Sequence, residues 1–87
     1  MTFITGSNNV IYNNIARSSL LGYNLKSNAD NQTIVGRYNA LNKNALFIVG
    51  NGSIGKDSNA FSVLADGRVQ SSAAAKDSND LTRLTDV

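Results

Sequence analysis

Short apolar pairs closed by a glycine recur along the chain and set its period. Aligned on that glycine, Phe3-Ile4-Thr5-Gly6, Ser19-Leu20-Leu21-Gly22, Thr33-Ile34-Val35-Gly36 and Phe47-Ile48-Val49-Gly50 read as four copies of one element. Gly22, Gly36 and Gly50 fall fourteen residues apart, and Gly6 precedes Gly22 by sixteen, which places a small insertion near Ile11 to Asn14. Fourteen residues is too short for a repeat of two helices and suits a coil of two short strands and two turns. Stacked coils of this kind make an all-β, short parallel β-solenoid or β-roll, in which equivalent residues lie about 4.8 Å apart.

Two apolar columns follow. Ile4, Leu20, Ile34 and Ile48 stand two places before glycine, and Thr5, Leu21, Val35 and Val49 directly before it. Neighbours along a strand face opposite sides, so both faces of this strand ask for burial, whereas a thin coil has one interior. The uniformly large first column is assigned to the coil core, which tolerates no gap. The second, interrupted by Thr5, is assigned to contact with other copies of the chain, where an interface can admit a hydroxyl or a water.

Gly6, Gly22, Gly36 and Gly50 end each strand at a turn, where positive φ or the close approach of stacked backbones excludes a Cβ. Asn8, Asn9, Asn24, Asn39 and Asn51 follow them closely. Asn suits left-handed turns, and its amide can bond the backbone or the Asn one coil away. A ligand-binding row of amides is the sharper alternative.

Beyond the third coil, Phe61, Val63 and Ala65 alternate on one face and lead into Asp66-Gly67, a strong turn signal. A terminal β-hairpin there would cap the stack against further strands. Residues 1–69 are therefore expected to form the solenoid domain and residues 70–87 a linker with a stub. In the stub, Ser78 or Asn79 could cap a short C-terminal helix bearing Leu81 and Leu84. Such a helix would lead into a coiled coil; a frayed end is the alternative.

Composition narrows the possibilities further. A chain of 87 residues buries a small fraction of its surface, and without Cys or His it has neither disulfide nor zinc staple. Association with other chains is the expected source of extra buried area. His, Glu and Cys, the commonest general acids, bases and nucleophiles, are all absent from the sequence. We therefore expect no enzyme, no cofactor and no metal. The net charge of +2 comes from scattered residues rather than a basic stripe, which argues against nucleic acid as a partner. The longest apolar run, Ala45 to Val49, is far too short for membrane insertion or for a signal-peptide core.

Three further groups of residues invite a chemical reading. Gly50-Asn51-Gly52-Ser53-Ile54-Gly55-Lys56-Asp57 has dinucleotide-loop spacing and nearly that of a phosphate loop. Asp57 stands where the magnesium-holding Ser or Thr belongs, and the residues that follow alternate as a strand instead of opening a helix. Asp77 with Asp80, or Asp57 with Asp66, could offer oxygens to an ion on a symmetry axis, although ordinary turn carboxylates have the same pattern. Tyr12, Tyr23, Tyr38 and Arg37 are the candidate glycan contacts, since a ring can stack on a pyranose face and Arg can bond its hydroxyls. Interface packing is the plainer role for such tyrosines.

The order of elements is also familiar. From Gln32-Thr33-Ile34-Val35-Gly36-Arg37-Tyr38-Asn39 through Phe47-Ile48-Val49-Gly50-Asn51-Gly52 to Phe61-Ser62-Val63-Leu64-Ala65-Asp66-Gly67-Arg68-Val69, the sequence resembles a segment common in bacteriophage tail-fibre and related appendage proteins. The spacing of apolar pair and glycine is similar to the head repeat of trimeric autotransporter adhesins, which form left-handed parallel β-rolls. Fewer repeats and the bulky Tyr23 and Tyr38 depart from the adhesin pattern and favour the phage one. Both resemblances imply a homotrimer on a virion or cell surface that takes part in host attachment. Three functions stay open: a structural shaft segment, a glycan-binding tip, and a polysaccharide-cleaving fibre with Asp and Arg gathered between subunits.

Overall fold

The computed structural model describes residues 2–12 and 14–86; Met1, Asn13 and Val87 lie outside it, and with them part of the expected insertion and the last residue of the expected stub. The described chain is all-β. Strands β1 (Phe3–Ser7), β3 (Ser19–Tyr23), β5 (Thr33–Arg37) and β6 (Ala45–Asn51) stack in parallel, and β7 (Asn59–Leu64) and β8 (Val69–Ser71) continue the same sheet antiparallel. The short strands β2 (Val10–Ile11) and β4 (Lys26–Ser27) pair in parallel as a second wall. The result is a solenoid-like stack of about three turns.

The register follows the glycine alignment. Ile4 pairs with Leu20, Leu20 with Ile34 and Ile34 with Ile48, while Gly6, Gly22, Gly36 and Gly50 form a parallel column of their own. Steric necessity fixes that column: a Cβ on Gly6, Gly22 or Gly36 would lie 1.8, 2.0 or 2.2 Å from the carbonyl oxygen of the next glycine in the stack. Two places further on, Asn8, Asn24 and Tyr38 occupy left-handed turns with φ of 59°, 52° and 43°.

The core lies between the two walls and contains Leu20, Leu25, Ile34, Ala45, Ile48 and Leu64. Ile4 departs from its column. It is 48% exposed whereas Leu20 is 0% exposed, because β1 is an end strand with a neighbour on one side only. Two polar side chains inside the stack are bonded: Gln32 Nε2 donates to the carbonyls of Asn42 and Ala45, and the Ser27 hydroxyl donates to Gln32 Oε1 at 2.7 Å.

Asparagine amides replace missing strand contacts. Asn9 Oδ1 accepts from Leu25 N–H at 2.9 Å, and Asn9 Nδ2 donates to the Gly22 carbonyl at 3.1 Å. Asn39 grips both backbone groups of Lys26 from the coil below, and Asn59 does the same to Ala40 at 2.8 and 2.9 Å. Ala40 is the third-coil counterpart of Val10 and Lys26, so a side chain there pairs a wall position that has no strand.

The Asp66-Gly67 turn joins β7 to β8. Gly67 has φ 95°, and the Leu64 and Arg68 backbones bond across it. The tail differs from expectation. Instead of an α-helix beginning near Ser78, it carries a single 3₁₀ turn at Leu84–Asp86, and Leu81 and Leu84 are exposed. Exposed as they are, the two leucines do not supply the packing that so short a helix needs.

Candidate functional site

The outer face of the six-stranded sheet is largely apolar, interrupted by Thr5, Ser19, Thr33 and Ser71. Thr5, Leu21, Val35, Val49 and Phe61 form one cross-strand row, and Phe3, Ser19, Thr33, Phe47, Val63 and Val69 form the next. Strand alternation puts both rows opposite the Leu20, Ile34 and Ile48 core. The rings of Phe47 and Phe61 meet edge to face with centroids 6.3 Å apart. Phe3, Leu21 and Val69 remain 54%, 55% and 58% exposed. The described residues are only 19 Å deep along their thinnest axis, about the depth of two walls with their side chains, and among them only the tail, opposite Phe61 and Val69, lies over part of the face. The two rows extend beyond the Thr5, Leu21, Val35 and Val49 column through Phe61 and Val63, whose antiparallel attachment hides them from a fourteen-residue alignment.

The aromatic residues beside the glycines converge in part. Tyr12 and Tyr38 line one recess of about 260 Å³ with Asn8, Asn24, Lys26 and Asp57. Lys26 and Asp57 are ion-paired there. Tyr23 does not line the recess; its ring meets that of Tyr38 edge-on, at a centroid distance of 5.5 Å and an interplanar angle of 82°. Arg37 is engaged elsewhere, its Nε donating to the Gly52 carbonyl at 2.8 Å. Hydrogen bonding with the Tyr23 side chain raises the Tyr38 pKa, so the phenol stays a neutral donor and acceptor. The left-handed backbone of Tyr38 costs energy for a residue of its bulk, a kind of strain that clusters at binding sites. The recess combines ring faces, amides and an ion pair, which are the groups that hold saccharide hydroxyls and their apolar faces.

Asn8, Asn24 and Tyr38 share one place in the repeat, so the sequence already carried a signal that they project together. Lys26 and Asp57, thirty-one residues apart, carried none.

A wider concavity of about 730 Å³ separates β7 and β8 from the tail, with Phe61, Val69, Leu81 and Leu84 in its lining. Arg83 ties the tail down, donating to the Ser72 carbonyl at 3.1 Å and pairing with Asp86 at 3.0 Å. Arg83 and the backbone N–H groups of Arg83 and Ala75 hold the Asp86 carboxyl well below the usual carboxylate range.

The glycine-rich stretch 50–57 is a hairpin turn. Ser53 and Lys56 exchange backbone hydrogen bonds of 2.9 and 2.8 Å, and β7 follows where a phosphate loop needs a helix. Asp57 and Asp66 each pair with a basic residue, Lys26 and Arg68, and Asp80 accepts from the backbone N–H groups of Lys76 and Asp77. Among the described residues no three carboxylates gather as a metal site, and no helix is long and apolar enough to cross a membrane. Compared with protein-family models, curated proteins and solved structures, the chain matches none.

Proposed function

We propose that this chain is a structural, trimer-forming segment of a bacteriophage tail fibre, a virion-surface appendage that serves host attachment. The observation that carries this is the apolar outer face of the sheet. A parallel sheet normally has both faces covered, and contiguous apolar patches mark association. Covering Leu21, Val35, Val49 and Phe61 with the same face of neighbouring copies buries them without any further layer. The number three comes from the resemblance to tail-fibre segments and to adhesin heads; a bacterial trimeric adhesin head on a cell surface is the nearest alternative.

Charge placed on the two columns tests the proposal. Val35→Asp should give soluble monomers, because three carboxylates near a threefold axis repel one another and lose water. Ile34→Asp should give insoluble or degraded chain, since it puts a charge inside the coil. A Val35→Asp trimer together with a soluble Ile34→Asp monomer would mean that the two columns are assigned the wrong way round, and a stable, folded monomer of the unaltered chain would overturn the proposal.

The Tyr12 and Tyr38 recess favours a second reading, a tip that binds host glycan. Incubation with host surface polysaccharide separates the readings. Retention on the polysaccharide supports the tip, shortened products support a cleaving fibre, and neither supports the shaft.

A further inference from the structure

Asn51 is the one asparagine of the sequence that a glycine follows. In such a pair the backbone nitrogen of the glycine can attack the Asn side-chain carbonyl, because no Cβ stands in its way. A bond forms between that nitrogen and Cγ, the side-chain amide nitrogen leaves as ammonia with the displaced proton, and a succinimide ring results. Water then opens the ring at either carbonyl. The product is Asp or its isoaspartyl form, in which the main chain runs through Cβ and Cγ.

The fold holds this reaction back at one atom. Asn51 is exposed, but Gly52 is buried. The Gly52 N–H donates to the Arg37 carbonyl at 3.2 Å, and the Gly52 carbonyl accepts from Arg37 Nε at 2.8 Å. Attack would take the Gly52 nitrogen away from Arg37 and leave that carbonyl without its donor. Nor can the backbone shift in place: a Cβ on Gly52 would lie 2.3 Å from the Tyr38 carbonyl oxygen and 2.5 Å from that of Lys56. The 50–57 turn must therefore open before the ring can close. Besides the Arg37 bonds, the ion pair of Asp57 with Lys26 of the second coil holds it shut.

We propose that Asn51 is a site of spontaneous deamidation, released by opening of the 50–57 turn, and that its isoaspartyl product keeps the turn from closing again. The isoaspartyl form adds one atom to the main chain directly before Gly52 and so moves the Gly52 N–H out of register with the Arg37 carbonyl. Gly55 and Asp57 sit on this turn and line the recess with Tyr12 and Tyr38. The modification thus removes one wall of the recess and leaves the parallel coils intact, whatever the recess binds.

Peptide mapping by mass spectrometry of the full chain, incubated at mildly alkaline pH with and without urea, measures conversion at residue 51. Conversion should be at least about tenfold slower in the folded chain than in urea, because local opening limits it. Asp57→Ala, which removes the ion pair, should speed it about two- to fivefold in the folded chain and not at all in urea. Arg37→Met should do the same through the lost bond to the Gly52 carbonyl, and hydrogen-exchange protection of the Ile34 amide in both variants checks that the stack is intact. Chain that has acquired the isoaspartyl residue should lose protection at the Gly52 and Ser58 amides and keep it at Ile34. Equal conversion with and without urea, no acceleration in either variant, or full protection at Gly52 in the isoaspartyl chain would overturn the proposal.

Discussion

The Asn39 amide closes on both backbone groups of Lys26, accepting from its N–H at 2.8 Å and donating to its carbonyl at 3.0 Å. Asn39 is buried, so water cannot replace it. Asn39→Ala would leave a peptide group unpaired inside the stack, at a cost of about 1–3 kcal/mol. Urea unfolding should show that loss, whereas Asn79→Ala on the exposed tail should change stability by less than about 0.5 kcal/mol.

Gly36 and Gly55 both have positive φ, but their surroundings differ. A Cβ on Gly36 would meet the Gly50 carbonyl oxygen at 2.2 Å, while nothing lies within 4 Å of one on Gly55. Gly36→Val should cost at least about 3 kcal/mol through overpacking against backbone, with Gly55→Val costing only the strain of its turn, about 1–2 kcal/mol. Thermal melts of the two variants check this, and equal melting points would mean that the column does not hold the stack.

Much of the fold is legible in the sequence because its determinants are local and periodic. Glycine is required wherever coils touch, and strand alternation then fixes which neighbour faces the core, so Leu20, Ile34 and Ile48 fall into place from spacing alone. End effects are not periodic. Nothing in the repeat marks Ile4 as the member without a cover, and the Asn59 clamp on Ala40 lies outside the fourteen-residue register. The tail escaped for a different reason: Leu81 and Leu84 have helical spacing, but spacing does not supply a surface to pack on. In the recess, Tyr12 and Tyr38 were readable as exposed aromatics, whereas the Lys26 and Asp57 pair depends on the hairpin after β6 folding back toward β4.

Tyr38→Asn separates the recess from the scaffold. Asn tolerates the left-handed turn and relieves about 1–2 kcal/mol of strain, which offsets the lost edge-to-face contact with Tyr23 of about 0.5–1.5 kcal/mol. Stability should therefore change by less than about 1 kcal/mol by denaturant titration. If the recess holds a saccharide, retention on host polysaccharide should fall with this variant and with Tyr12→Ala.

Acid should loosen the tail before the solenoid. The Asp86 pKa is lowered in the folded chain, first by the Arg83 side chain, so its contribution is complete above the ordinary carboxylate pKa of about 3.9 and fades as pH falls through the lower folded value. The Ala75 and Arg83 amide signals, whose N–H groups bond Asp86 at 3.1 and 3.0 Å, should hold their positions until pH drops below that ordinary range. Arg83→Gln should move the transition back up toward it. An unchanged midpoint in Arg83→Gln would show that the ion pair does not hold the tail.

The apolar outer face ultimately stands or falls on the mass of the particle it builds. Sedimentation equilibrium of the intact chain at micromolar concentration should give three chains per particle, together with the far-ultraviolet signature of β-structure. A stable, folded monomer under those conditions would contradict the account, because Leu21, Val35, Val49 and Phe61 would then face water at no cost to the fold.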